Sequence, residues 1–162
     1  MSVDGGGLHA YVAAAKVKTR AGLGVVFVDS QGRVLRRIGR CVPAPHEDLA
    51  GFQGILYALW TARRLGSRRV VVHSDNAAVV AQINGHQEVR QDLVGPYLEV
   101  RALLHAYRSA RVEASQLGST QGAPAMAEAA LTFDMNDLDV TEVVVEDLPL
   151  WSWQGAAERA PA

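Results

Sequence analysis

The order of apolar and polar positions divides the chain into alternating elements before any single residue is considered. Residues 8–18 alternate loosely and predict a strand, 18–22 (Lys-Thr-Arg-Ala-Gly) reads as a turn, and Leu23 to Val28 is a second strand. Asp29-Ser30-Gln31-Gly32 has hairpin-turn chemistry, and Arg33 to Cys41 returns with Val34, Leu35 and Ile38 set among arginines. Pro43 and Pro45 break this meander. A helix follows from about Glu47 to Leu65, with Leu49, Phe52, Leu56, Leu59 and Trp60 as its apolar stripe and Gly66 as its stop. The β-branched run Val70-Val71-Val72 marks a buried strand at 69–74. Helical spacing then resumes over 76–85 with Val79, Val80 and Ile83. A polar connection leads to a helix at Tyr97 to Tyr107 carrying Leu98, Leu103 and Leu104, then a strand at Arg111 to Ser115. Loop 117–124 and a short Ala-rich helix at Ala125 to Leu131 close the pattern.

Three antiparallel strands followed by two strands that alternate with helices imply an α/β mixed sheet with helices on its faces. The strand at 69–74 follows a long helix, so it should run parallel to its neighbour. Residues 132–162 do not continue the rhythm. They hold one apolar run, Val143 to Val145, and a Leu-Pro-Leu-Trp-Ser-Trp segment at 148–153. The expected organisation is a flexible N-terminus over 1–7, a domain over 8–131, and an acidic extension over 132–162 that adds a strand, docks, or pairs with another chain.

Composition changes this picture in three ways. With 162 residues, 49% hydrophobic and 20% charged, the chain suits one core and not two. No apolar run approaches membrane-spanning length, the N-terminus lacks a secretion signal, and Cys41 is the single cysteine; a cytoplasmic protein without disulfide or cysteine-zinc cluster is expected. The net charge of −1 conceals a basic body of +6 over 1–113 and an acidic tail of −7 over 114–162.

The chemistry concentrates in Ser74-Asp75-Asn76, where a carboxylate lies between strand and helix at the C-terminal edge of a sheet, the ligand-binding edge of open α/β folds. Asp75 reads either as the cap of the following helix or as a functional carboxylate. This segment, continued by Val79-Val80, Gln82 and Asn84-Gly85, resembles the ribonuclease H family, in particular its short bacterial ribonuclease HI-like branch. Leu23 to Val26, the hairpin at Asp29 to Gly32, and Asp92 to Tyr97 agree in type and position, and the likeness spans residues 8–131. It implies an RNase H-like fold: a five-stranded mixed sheet, order 3-2-1-4-5, flanked by helices.

The resemblance also implies cleavage of the RNA strand of an RNA–DNA hybrid, with two Mg²⁺ ions held by four carboxylates. Of those four, Asp75 alone stands unaltered. The family's first aspartate, in a Tyr-x-Asp-Gly pattern, meets Tyr11-Val12-Ala13-Ala14, and its helix glutamate, in Ala-Glu-Tyr, meets Ala50-Gly51-Phe52. For the fourth, in Ala-Asp-x-Leu-Ala, the stretch Ala127-Glu128-Ala129-Ala130 offers Glu128, with Met126 an equal fit. The family's glycine-rich loop is replaced by a basic turn at Lys16 to Arg20, and the usual histidine is missing from Gly118 to Gly122. Glu47 and Asp48 occupy the places of an Asn-Asn pair that touches the hybrid's minor groove.

One or two carboxylates do not neutralise two divalent ions, and Asp75 alone offers a weak, mostly hydrated metal contact. The expectation is therefore a catalytically degenerate RNase H-like domain that keeps a nucleic-acid-binding or protein-interaction role and needs no cofactor. Asn76, Arg90, Arg68 and Arg69 are the candidate nucleic-acid contacts, for an RNA–DNA hybrid or another nucleic acid. Two alternatives stay open. In one, Glu47 and Asp48 act as relocated acids beside Asp75 and the chain is an active ribonuclease using Mg²⁺ or Mn²⁺. In the other, it is a non-enzymatic scaffold that binds a protein partner or its own copy through residues 141–153, with no membrane contact.

Overall fold

The protein is described by a computed structural model over residues 7–115, 121–133 and 141–145. Strands β1 (Leu8–Val17), β2 (Arg20–Val28) and β3 (Val34–Pro43) form the antiparallel meander. Helix α1 (Glu47–Arg64), β4 (Arg69–Ser74), α2 (Ala77–Ile83), α3 (Val94–Ala106), β5 (Ser109–Ala114), α4 (Ala123–Phe133) and β6 (Thr141–Val145) follow. The sheet runs β5-β4-β1-β2-β3-β6, so the expected 3-2-1-4-5 core is present and β6 extends it beyond β3. β1 pairs parallel with β4, and β4 with β5. Of the expected terminal segments, residues 1–6 and the Leu-Pro-Leu-Trp-Ser-Trp segment at 148–153 fall outside the described residues.

Local chemistry fixes the two hairpins. The β1–β2 turn is tight enough to put Lys18 at φ 56°, and Arg20 to Gly22, expected as turn, already pair in β2. At the β2–β3 turn the Asp29 carboxylate accepts the N–H groups of Gln31 and Arg33, both at 2.9 Å, while Gly32 takes φ 85°.

β2 is buried along nearly its whole length because helices cover both faces of the sheet. On one face α1 packs through Phe52, Ile55, Ala58, Leu59 and Ala62 against Leu8, Val12, Leu23 and Val25. The α1 stripe differs from the expected one: Trp60 is 44% exposed, and Leu49 and Leu56 are only partly buried. The helix is covered on one side by the sheet and on another by α3, so small residues as well as large ones lie inside. In α3, Val100 and Leu103 face inward, whereas Leu98 is 58% exposed.

On the other face α4 lies almost on the backbone of β2 and β3. A Cβ built on Gly24 would stand 2.3 Å from the Ala123 carbonyl oxygen and 2.4 Å from the Ala127 nitrogen, and one on Gly22 would meet the Ala127 oxygen at 2.0 Å. Three glycines, Gly22, Gly24 and Gly39, therefore form a floor that admits the alanine-rich helix at this depth. Gly24→Ala is expected to destabilise the domain by about 3 kcal/mol, since helix and strand backbones cannot both stay in place. Gly95, in α3 with nothing within 4 Å of a built Cβ, is the control. Gly95→Ala should be neutral or stabilising by up to about 1 kcal/mol. Urea unfolding at equilibrium measures both.

Candidate active site

β4 ends at Ser74, and its parallel pairing carries one step further, as the Asp75 N–H donates to the Val12 carbonyl at 3.2 Å. This sets Asp75 at the rim of a cleft of about 410 Å³ lined by Ala14, Lys16, Glu47, Asp48, Gly51 and Asn76, among others. The cleft lies where the C-terminal end of β4, the second half of β1 and the first turns of α1 and α2 meet.

Asp75 does not cap α2. The cap is Asn76, whose Oδ1 accepts the Val79 N–H at 3.0 Å while its Nδ2 donates to Asp48 Oδ1 at 3.2 Å. The Asp75 carboxyl is left facing the cleft. Its surroundings displace water and push its pKa above the ordinary carboxylate value, and Glu47 adds to that rise. The backbone N–H groups of Asp75 and Ala14 oppose it by donating to the ionised form.

Residue parity in β1 decides which position faces the cleft. Val12 and Ala14 point to the α1 side, whereas Ala13 is buried on the opposite face with Val26, Ala123 and Met126. The cleft thus receives the methyl group of Ala14. From α1 it receives Gly51, with no side chain at all. A Cβ on Gly51 would meet Asn76 Nδ2 and Val79 Cγ2, each at 3.0 Å. Asn76 and Val79 would each have to give by a few tenths of an ångström to admit a Cβ at position 51.

Of the two candidate relocated acids, only Glu47 acts electrostatically on Asp75. Asp48 is turned into a polar network: Arg90 lies 3.8 Å from its Oδ2 and 3.1 Å from Asp92 Oδ2. Asp92 also lies 3.1 Å from His46 Nε2, and His46 caps α1 by accepting the Leu49 N–H at 3.3 Å. The network His46–Asp92–Arg90–Asp48–Asn76 ties the starts of α1 and α2 to the turn that leads into α3. Sequence reading missed it because its members are 46 residues apart; the only local sign was a polar residue before an apolar helix.

The remaining candidates separate. Glu128 is exposed on α4, Met126 is buried on the face away from the cleft, and neither lines it. The buried positions Ala123, Met126 and Ala127 match the apolar places of an Ala-Asp-x-Leu-Ala pattern, which sets Pro124 at the acid. Arg69 opens β4 and Arg68 precedes it, so Arg69 stands six residues and about 20 Å from Asp75 and Arg68 one residue further. There they neighbour Arg63, Arg64 and Arg108, all exposed. Gln82 and Asn84 are structural: Gln82 is buried and accepts the Arg90 N–H at 3.4 Å, and Asn84 Nδ2 donates to the Val112 carbonyl at 2.9 Å.

Two Mg²⁺ ions need several oxygen ligands of high negative charge around each. The cleft supplies Asp75 and Glu47, with Asp48 engaged by Arg90, and Lys16 brings a positive charge to the same lining. Among the described residues no three His, Cys, Asp or Glu side chains form a metal-binding group. The described residues of the cleft do not fit a two-metal centre.

A family model described as reverse transcriptase-like matches residues 10–130. No curated protein matches the sequence. Among solved structures, ribonuclease H1 from the halophilic archaeon Halobacterium salinarum shares 23% identity over 79% of this chain and 99% of its own, with a TM-score of 0.74. The N-terminal RNase H domain of a Mycobacterium tuberculosis protein shares 22% over 79% and 95%, with a TM-score of 0.71. LC11-RNase H1, isolated from compost and solved in complex with an RNA/DNA hybrid, shares 16% over 80% and 99%, with a TM-score of 0.72.

The raised Asp75 pKa has a definite consequence for stability. A carboxyl that prefers its neutral form in the folded state costs stability once pH rises through its folded pKa. Asp75→Asn is therefore expected to raise the melting temperature at pH 7, with the gain shrinking towards pH 3.5, where both states bind the proton. Calorimetric scans from pH 3.5 to 7.5 check this; an Asn variant less stable at neutral pH contradicts it.

Proposed function

This chain belongs to the reverse transcriptase-like family, with an RNase H-like fold, and from that premise we propose that it is a catalytically silent member that binds nucleic acid without cleaving it. The observation that carries this reading is the cleft lining: a methyl group from Ala14 and a bare backbone at Gly51 stand beside Asp75. Hydrolysis through paired hard cations needs anionic ligands at such positions. A Cβ on Gly51 would press on Asn76 and Val79, so the packing beside this position is tight.

Binding on this reading moves away from the cleft. Arg90 is paired with Asp48 and Asp92, and Asn76 with its cap and Asp48, so on this reading phosphate at either residue competes with these partners. The exposed arginines around the α1–β4 and α3–β5 connections, Arg63, Arg64, Arg68, Arg69 and Arg108, give a cationic surface at the other end of the sheet. Guanidinium groups suit phosphate oxygens, and a patch that neutralises several phosphates binds with a steep salt dependence. An RNA–DNA hybrid is the first ligand to test, since LC11-RNase H1 was solved with one. One observation favours a second reading, residual metal-dependent cleavage: Glu47 and Asp75 sit close enough to interact.

A labelled hybrid tests both. The expected result is no cleavage in Mg²⁺ or Mn²⁺, with binding that weakens at least tenfold between 50 and 200 mM salt. The double change Arg68→Glu, Arg69→Glu should lower affinity about tenfold or more, and Asp75→Asn should leave it unchanged. Cleavage abolished by Asp75→Asn or Glu47→Gln would refute silence. Binding to no nucleic acid, or binding indifferent to salt, would refute the cationic-surface role.

A further inference from the structure

On the sheet face opposite α1, the helix α4 seats on β1, β2 and β3 and, among the described residues, leaves β4 and β5 without a helix. The parallel registers set the side chains of this open area in rows. Arg69 and Ser109 pair across β4 and β5, and Gly7 lies against Arg69, where a built Cβ would stand 3.8 Å from the Arg69 Cβ. The next row on the same face is His9, Val71 and Arg111. Both rows line a pocket of about 190 Å³ at the N-terminal ends of the parallel strands. No carboxylate among the described residues lines it. Its volume is below the roughly 300–1,000 Å³ of sites that enclose a whole small molecule, and it suits a single tetrahedral group.

The donors fit an oxyanion. Arg69 and Arg111 come from neighbouring strands and are offset by two residues, a diagonal of roughly 7–8 Å between backbones. Each guanidinium is a planar fork matched to phosphate oxygens, so two forks at this spacing can grip one phosphoryl group from two sides. Glu113 accepts from Arg111 through Nε alone, which steadies the side chain and leaves both Nη groups for a ligand. His9 Nδ1 is engaged by His73 Nε2 at 3.0 Å, so Nε2 is the His9 nitrogen left for a ligand. When His73 donates to Nδ1, the His9 proton sits on Nε2, which then donates in turn. The Ser109 hydroxyl is a further donor in the lining. The local field has the matching sign: after burial, His9 and Arg111 both lower the His73 pKa, opposed by Glu113.

We propose that this pocket seats one phosphoryl group of a nucleic-acid backbone, gripped by Arg69 and Arg111, with His9 Nε2–H and the Ser109 hydroxyl as the remaining donors. The proposal rests on the nucleic-acid reading above and assigns one fixed phosphate to it. The cationic surface leads into the pocket, because the N–H groups of Arg108 and Ser109 both donate to the Arg68 carbonyl, at 2.9 and 3.3 Å. A backbone that meets Arg68 and Arg108 therefore continues to Ser109 and its neighbours.

Two measurements on the full chain separate this proposal from that reading. In one, inorganic phosphate is titrated at constant ionic strength while the amide NMR spectrum is followed. Saturable shifts are expected at Gly7 to His9, Arg69 to Val71 and Ser109 to Arg111. They should be lost in Arg111→Gln and kept in Lys18→Gln, which alters the β1–β2 turn at the other end of the sheet. In the other, a labelled RNA–DNA hybrid is bound over a series of salt concentrations. Arg111→Gln should lower affinity about fivefold or more and reduce the log–log salt slope by about one. Arg111→Lys keeps the charge but not the fork, so it should lose affinity with the slope unchanged. Circular dichroism of each variant shows that the fold is retained. Absence of saturable phosphate shifts at these residues overturns the proposal, whether or not the hybrid binds. Hybrid binding that is steep in salt yet indifferent to Arg111→Gln overturns it too, and leaves the nucleic-acid reading standing with the pocket as a site for free phosphate. Binding to no nucleic acid refutes that reading and this assignment together.

Discussion

The structure depends on how closely helices approach backbone where side chains have been reduced to hydrogen. Gly22, Gly24 and Gly39 let α4 settle with its carbonyls almost on the strands. On the other face a Cβ at Gly54 would stand 2.8 Å from Val12 Cγ1, so α1 also lies deep against β1. Close packing of this kind raises the number of dispersion contacts for a helix rich in alanine, and it tolerates no added methylene. It also fixes the height of α1 above the strand ends, and so where its first turn meets Asp75.

That placement links packing to chemistry. Gly51 is one turn before Gly54 and lies beneath Asn76, whose amide reaches across to Asp48. The amide serves three ends at once: it caps α2, anchors Asp48, and fills the space over Gly51. Asp48 in turn restrains Arg90, which is shared with Asp92. The guanidinium of Arg90 and the carboxylates of Asp48 and Asp92 face one another. Exposed ion pairs of this sort add little to stability individually, but a connected set holds three helix starts in one geometry. Asp75 and Glu47 are left as neighbouring carboxylates, and the raised Asp75 pKa reflects lost hydration first and Glu47 after it.

The two faces and two ends of the sheet carry different chemistry. The C-terminal end of β4 holds Asp75, with Glu47 beside it in the same cleft. The other end holds exposed guanidinium groups. The face away from α1 holds nitrogen donors brought together by strand register.

Periodicity alone carried the fold far. The β-branched run at 70–72, the turn chemistry at Asp29 to Gly32 and the helical spacing after Ala77 each depend on interactions within a few residues, so they are legible without a structure. Element limits moved by a few residues where pairing extends them, as at Arg20 to Gly22. The α1 stripe was misjudged at Trp60 because burial there depends on a second helix that only tertiary packing supplies. For the site, the sequence determined that Asp75 stands at a strand end and that Gly51 carries no acid. Tertiary structure decided that Asn76 and not Asp75 caps α2, that Ala14 and not Ala13 faces the cleft, that Arg90 is internally neutralised, and that His9 meets His73. These last facts join residues up to 64 positions apart through strand register and helix height. Such distances are set by packing in three dimensions, to which the order of residues along the chain gives no local sign.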